Sequence, residues 1–239
     1  MSFHPVSRKA LRTASALTLA LGTALTASIA LPAAAGAAGA AASSARVEQG
    51  AGGKSIVYMA ADGQTNKLTV TATKSEGLER ITYVIDDVVP IEIAPAETEC
   101  RYADSADRTK VSCTQTTLDS QDPYSTLFLN LEDGDDTVAY DNATDQTYYH
   151  ASIDLGAGKD GYTHTGSADG NNVHGGTGDD SIRLGVAGTA LAEDGNDTVH
   201  AAEGSIVFGN GGVDTIHADG DEASVDGGVG RQAGRAAST

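Results

Sequence analysis

The chain has 239 residues, 33 acidic against 15 basic side chains, and a formal net charge of −18. That acid excess argues against nucleic acid as a partner, because binding it needs basic surface against phosphates. Glycine supplies 29 residues, about 12% where ~7% is usual; three phenylalanines and no tryptophan exclude a large aromatic core.

The first segment reads as an address. Arg8, Lys9 and Arg12 form a basic n-region, residues 14–31 are apolar, and small residues fill 32–45. This order predicts a secretory signal peptide over residues 1–42. No second apolar segment follows, so a secreted, extracellular chain without membrane insertion is expected. Cleavage removes three positive charges and brings the net charge from −18 to about −21. The remainder is uneven: residues 46–129 carry 8 basic and 13 acidic side chains, residues 130–239 carry 4 and 20. A block that acidic must bind cations, stay disordered or carry strong self-repulsion.

Residues 43–129 predict a small β-rich domain or cap. Short β-type runs occur at 55–59, 67–73, 81–85, 91–93, 110–113 and 126–129. The second places Leu68, Val70 and Ala72 on one face, and Asp62-Gly63 is a turn signal before it. Cys100 and Cys113 are the only cysteines, and in an exported chain they most simply pair. Asp104-Ser105-Ala106-Asp107 between them reads as a turn, so the bond would staple a hairpin.

Residues 130–239 contain a repeat. Gly175-Gly176-Thr177-Gly178-Asp179-Asp180-Ser181-Ile182-Arg183 fits the nonapeptide G-G-x-G-x-D-x-U-x, where U is a large apolar residue. Partial copies end at Val138, Tyr162, Val199 and Ile216. The aspartate of the sixth position recurs at Asp136, Asp160, Asp180, Asp197 and Asp214, at intervals of 24, 20, 17 and 17 residues. Two nonapeptides per coil account for the last two intervals, whereas 24 residues need a bulge or a longer loop. The intervening half-coils keep apolar residues at Val173, Leu191, Val207 or Phe208, and Val225, but carry Asn171, Thr189, Ile206 and Ala223 where an aspartate would stand. One edge with the aspartates and one without them is therefore expected. The last copy degrades after Gly227-Gly228.

These strings resemble the RTX, or hemolysin-type, calcium-binding repeat family. The resemblance covers residues 131–235. It implies a parallel β-roll, each nonapeptide giving a turn and a short strand, with Ca2+ between turns on successive coils. On that basis the expected ligands are Asp136, Asp160, Asp180, Asp197 and Asp214, with Gly178, Gly195 and Gly212 opening the turn so that backbone carbonyls reach the ion. The chemistry agrees: calcium takes six to eight oxygens, and glycine permits the tight turn. No proline follows Pro123, as a continuous ladder requires. Carboxylates stacked at the ~4.8 Å strand spacing repel by about 3.5 kcal/mol at an effective dielectric of 20. A ladder of them rivals the stability of a small domain, so folding is expected to depend on calcium.

The expected architecture is thus all-β, a parallel β-roll or β-solenoid with a small N-terminal cap or domain. The expected function is a secreted calcium-binding structural or interaction protein, with an extracellular or cell-surface glycan or protein as a further partner. The alternative is a β-solenoid that binds or degrades carbohydrate. No Ser-His-Asp or nucleophile motif stands out, so no enzyme is expected. Thr137, Ser181, Thr198 and Thr215 share one outward position, and Arg183, His200 and His217 another. A solvated face explains both rows, although the two histidines could also take a transition metal.

Overall fold

The structure, a computed structural model, describes residues 43–50, 53–75, 79–94, 99–117 and 122–228. The predicted signal segment and the degraded end of the repeat lie outside them. Every regular element among the described residues is a strand.

The first seven strands are β1 (Ser43–Gly50), β2 (Gly53–Met59), β3 (Lys67–Lys74), β4 (Arg80–Asp86), β5 (Ile91–Ile93), β6 (Cys100–Tyr102) and β7 (Lys110–Thr116). Next come β8 (Tyr124–Asn130), β9 (Thr137–Asn142), β10 (Tyr149–Asp154), β11 (Gly161–His164), β12 (Asn172–His174) and β13 (Ser181–Arg183). The last are β14 (Thr189–Leu191), β15 (Thr198–Ala201), β16 (Ile206–Phe208), β17 (Thr215–Ala218) and β18 (Ser224–Asp226).

These strands form two nine-stranded sheets, one ordered β18-β16-β14-β12-β10-β8-β2-β1-β5, the other β17-β15-β13-β11-β9-β3-β4-β7-β6. From β8 onward the chain alternates between the sheets, and from β10 onward each strand pairs in parallel with the one two places back. This is a β-solenoid of about five turns.

Its first coil begins earlier than the repeat. Strand β2 pairs in parallel with β8, and β3 with β9. Asp62-Gly63 therefore turns the chain from one sheet to the other and makes no hairpin. Strands β4, β7 and β6 then extend β3 antiparallel, while β1 and β5 extend the other sheet. Together they cover the edges that β2 and β3 would otherwise leave open. Cys100 and Cys113 face each other across β6 and β7 and form the disulfide.

Two apolar columns fill the space between the sheets. One is Tyr58, Leu129, Ile153, Val173, Ala190 and Val207; the other is Leu68, Val138, Tyr162, Ile182, Val199 and Ile216. All are buried. The register corrects one expectation. Ala190 and Val207 point inward, whereas Leu191 and Phe208 point outward, and Phe208 is 39% exposed. A slip of one residue reverses every side chain of a strand. The counterparts of Asn171 are accordingly Gly188, Ser205 and Ala223, one residue before Thr189 and Ile206.

Candidate metal-binding edge

The turns that lead from β8, β10, β12, β14 and β16 into their following strands stack along one edge of the solenoid. Isolated bridges link Asp133, Ala157, Thr177, Asp194 and Gly211 in succession. Glycine allows this spacing. A Cβ on Gly178 would lie 1.6 Å from the Gly158 carbonyl oxygen, and one on Gly212 would lie 1.6 Å from that of Gly195. Both residues also have φ of +130°, where a side chain is strained. The column of Gly134, Gly158, Gly178, Gly195 and Gly212 therefore lets backbone meet backbone.

The five repeat aspartates form a second column beside the glycines. The backbone N–H of Asp136 donates to Oδ1 of Asp160 at 2.7 Å, and that of Asp160 to Asp180 at 2.9 Å. Asp180 donates to Asp197 at 2.8 Å and Asp197 to Asp214 at 3.1 Å. All five residues are buried. Each keeps one oxygen, Oδ2, that is buried and meets no donor. A buried acceptor without a partner costs about 1–3 kcal/mol, and more when charged. Burial pushes the Asp136 and Asp180 carboxyls up to about 7, and those of Asp160 and Asp197 to about 6, against the backbone donors that pull the other way. The neighbouring rungs add repulsion, Asp160 on Asp136 and Asp214 on Asp197.

The 24-residue and 20-residue intervals leave this column undisturbed. Their extra residues lie at the other edge, between β9 and β10 and between β11 and β12. Asp136 therefore stacks on Asp160 as closely as the later pairs do. One rung was not legible beforehand. Asn66 begins the column, its N–H donating to Oδ1 of Asp136 at 2.6 Å. Its Nδ2 donates to Oδ2 of Asp87 at 2.6 Å, which also accepts from Tyr58 Oη at 2.6 Å. An amide and a borrowed carboxylate thus close the ladder where the cap begins.

A shallower, solvent-facing row runs alongside. Lys159 N–H donates to Asp135 Oδ1 at 2.9 Å, and Asn196 N–H to Asp179 Oδ1 at 2.9 Å. The Asn196 donors hold the Asp179 carboxyl below its ordinary value. Adjacent aspartates in one turn are therefore pushed in opposite directions, the exposed one toward its anion and the buried one toward its acid.

The opposite edge uses its carboxylate differently. Asp169 is fully buried, as is the Asn171 that the sequence singled out. Asp169 Oδ1 accepts from Tyr162 Oη at 2.9 Å and lies 3.4 Å from His164 Nδ1; Oδ2 accepts from Gly185 N–H at 2.8 Å. Asn171 donates to Tyr162 Oη at 3.1 Å and accepts from Ala151 N–H at 2.8 Å. Burial raises the Asp169 carboxyl, but both of its oxygens have partners.

Among the described residues no three His, Cys, Asp or Glu side chains converge into a cage. An ion at the aspartate edge would take single carboxylate oxygens from stacked rungs and complete its shell with backbone carbonyls, a donor set of hard oxygens that suits calcium. The unpartnered Oδ2 atoms fit that role. No family model matches the chain, and comparison with curated proteins and with solved structures found no match.

Proposed function

We propose that this protein is a secreted structural or interaction module whose solenoid is stabilised by calcium along the Asp136–Asp214 edge. The carrying observation is the column of five buried carboxylate oxygens without a donor, aligned over turns that only glycine can build. The repeat's resemblance to RTX sequences supports the same reading. Asp180, Asp197 and Asp214 would hold the ions of the regular coils, with Asp136 and Asp160 extending the row. Gly178, Gly195 and Gly212 keep the turn close enough for carbonyls to contribute. Bound calcium supplies positive charge that offsets the repulsion between rungs. The chain's own part is to stack the oxygens, tie each Oδ1 to a backbone N–H and exclude water from the column. On this reading the chain catalyses nothing; its outward faces are presented to an extracellular partner.

Isothermal titration with Ca2+, and Mg2+ as control, tests the proposal. Several calcium ions per chain, with magnesium ineffective, are expected; heats indistinguishable from dilution would defeat it. One observation favours a second reading, carbohydrate binding. Tyr124, Tyr149 and Tyr148 pack edge to face, with ring centroids 5.3 and 5.1 Å apart, beside Ser125 and His150. Retention of the protein on an insoluble polysaccharide, abolished by Tyr148→Ala, would support that reading; passage straight through would remove it.

A further inference from the structure

A pair of histidines, chemically unlike the aspartate edge, lies on the outer face of the sheet that holds β15 and β17. Strands β15 and β17 pair in parallel, and His200 stands directly beside His217. Their rings stack with centroids 4.5 Å apart and planes 18° from parallel. His200 Nδ1 lies 2.8 Å from Asp219 Oδ2. A carboxylate in that position fixes the proton on Nδ1 and leaves Nε2 with its lone pair outward. Hydrogen-bonded carboxylates behind metal-ligating imidazoles do this in general, and they raise the basicity of the ligand.

We propose that His200 and His217 together chelate a late first-row divalent transition ion, with Asp219 as the positioning residue behind His200. Imidazole nitrogens at about 2.0–2.1 Å from an ion are at most about 4.2 Å apart. The ring centroids stand 4.5 Å apart with nearly parallel planes, so both side chains must rotate to turn their Nε2 atoms toward one ion, which their place on the outer face allows. The strand register holds both backbones in place, so little is lost in ordering the pair. Imidazole prefers copper, nickel and zinc to calcium, which separates this site from the aspartate edge on chemistry as well as position. Arg183 of β13 occupies the same row beside His200 and is exposed. Its long side chain can leave the ion for solvent, and its charge opposes binding until it does.

The test is calorimetric titration of Ni2+ into the chain as the cell releases it, without an affinity tag and in excess calcium. Excess calcium occupies the aspartate edge if that edge binds it, and failure there leaves this titration interpretable. One Ni2+ per chain is expected. His200→Gln and His217→Gln each weaken it at least tenfold, and Asp219→Asn weakens it about tenfold, the lower end for such a supporting carboxylate. Circular dichroism of each variant must match the parent. In the parent itself, trace Cu2+ is expected to broaden the imidazole proton resonances of both histidines together, which requires no variant to fold. Absence of saturable Ni2+ binding, binding that survives the double variant, or dependence on only one histidine overturns the proposal.

Discussion

Substituting Asp197 by asparagine separates a calcium ladder from a merely structural one, because only in the first does the loss depend on the ion. Asp197 is buried in the middle of the regular coils, its Oδ1 accepting from Asp180 N–H at 2.8 Å and its own N–H donating to Asp214 at 3.1 Å. Asparagine keeps an oxygen for the first bond and leaves the second untouched. Without calcium, the change removes a carboxyl that burial has pushed from 3.8 to about 6. At 1.36 kcal/mol per pH unit that rise is about 3 kcal/mol; solvent screening at the solenoid edge reduces it to about 1–2 kcal/mol. The new Nδ2 needs an acceptor, at a cost of similar size if none is found. The calcium-free variant should therefore melt within a few degrees of the parent. With calcium the balance differs. Asp197 faces two gaps between rungs, and each occupied gap contributes about 2.7 kcal/mol at hundredfold excess of ion. Losing both removes about 5 kcal/mol, or roughly 10–20 °C of melting temperature for a chain of this size. Scanning calorimetry of parent and variant, with calcium and with chelator, gives the four numbers. Equal losses with and without calcium would refute the reasoning.

The calcium-free roll should also answer to pH. Asp136, Asp160, Asp180 and Asp197 hold their protons more tightly folded than unfolded. Their contribution is complete below the ordinary value of 3.8 and disappears as pH rises through about 6 to 7; urea midpoints in chelator should fall over that window, and a rising midpoint would contradict the assignment. Gly178→Ala places a Cβ 1.6 Å from a backbone oxygen at φ +130°. A loss of at least about 4 kcal/mol is expected, read as loss of β ellipticity in calcium, and a fully folded variant would argue against the stacked turns. Asp169→Ala strands the donors Tyr162 Oη and Gly185 N–H; it should cost about 2–4 kcal/mol yet leave calcium stoichiometry unchanged, which titration calorimetry checks. Reducing the Cys100–Cys113 bond opens a loop whose sequence separation is 13. It should cost about 3 kcal/mol and lower the melting temperature without altering the number of ions bound.

The repeat edge was legible because its chemistry is local. Glycine, aspartate and an apolar residue at fixed offsets specify turn, ladder and strand within nine residues, so the stacking of Asp180 on Asp197 on Asp214 follows from intervals alone. The strand runs of the first segment were legible for a similar reason, Leu68, Val70 and Ala72 alternating cleanly into the core. What escaped was set by the third dimension. Asn66 precedes Asp136 by 70 residues, because strands β4 to β7 interrupt the first coil, and no interval connects the two. Asp87 reaches Asn66 and Tyr58 only because the cap folds back on the first coil. The Asp169 cluster draws on Tyr162, His164 and Gly185, each on its own unremarkable in the sequence. The inward residue of β14 was misplaced by one position because Ala190 is small and Leu191 is large. Register with the neighbouring strands decided the matter, and hydrophobicity did not.

The most direct test of the central claim is far-ultraviolet circular dichroism of the protein, titrated with calcium and then with chelator, with magnesium as control. The account predicts a β spectrum that strengthens cooperatively with calcium, reverses with chelator and ignores magnesium. A spectrum already complete in chelator, at neutral pH and unmoved by calcium, would mean that the buried aspartate column holds itself together without ions.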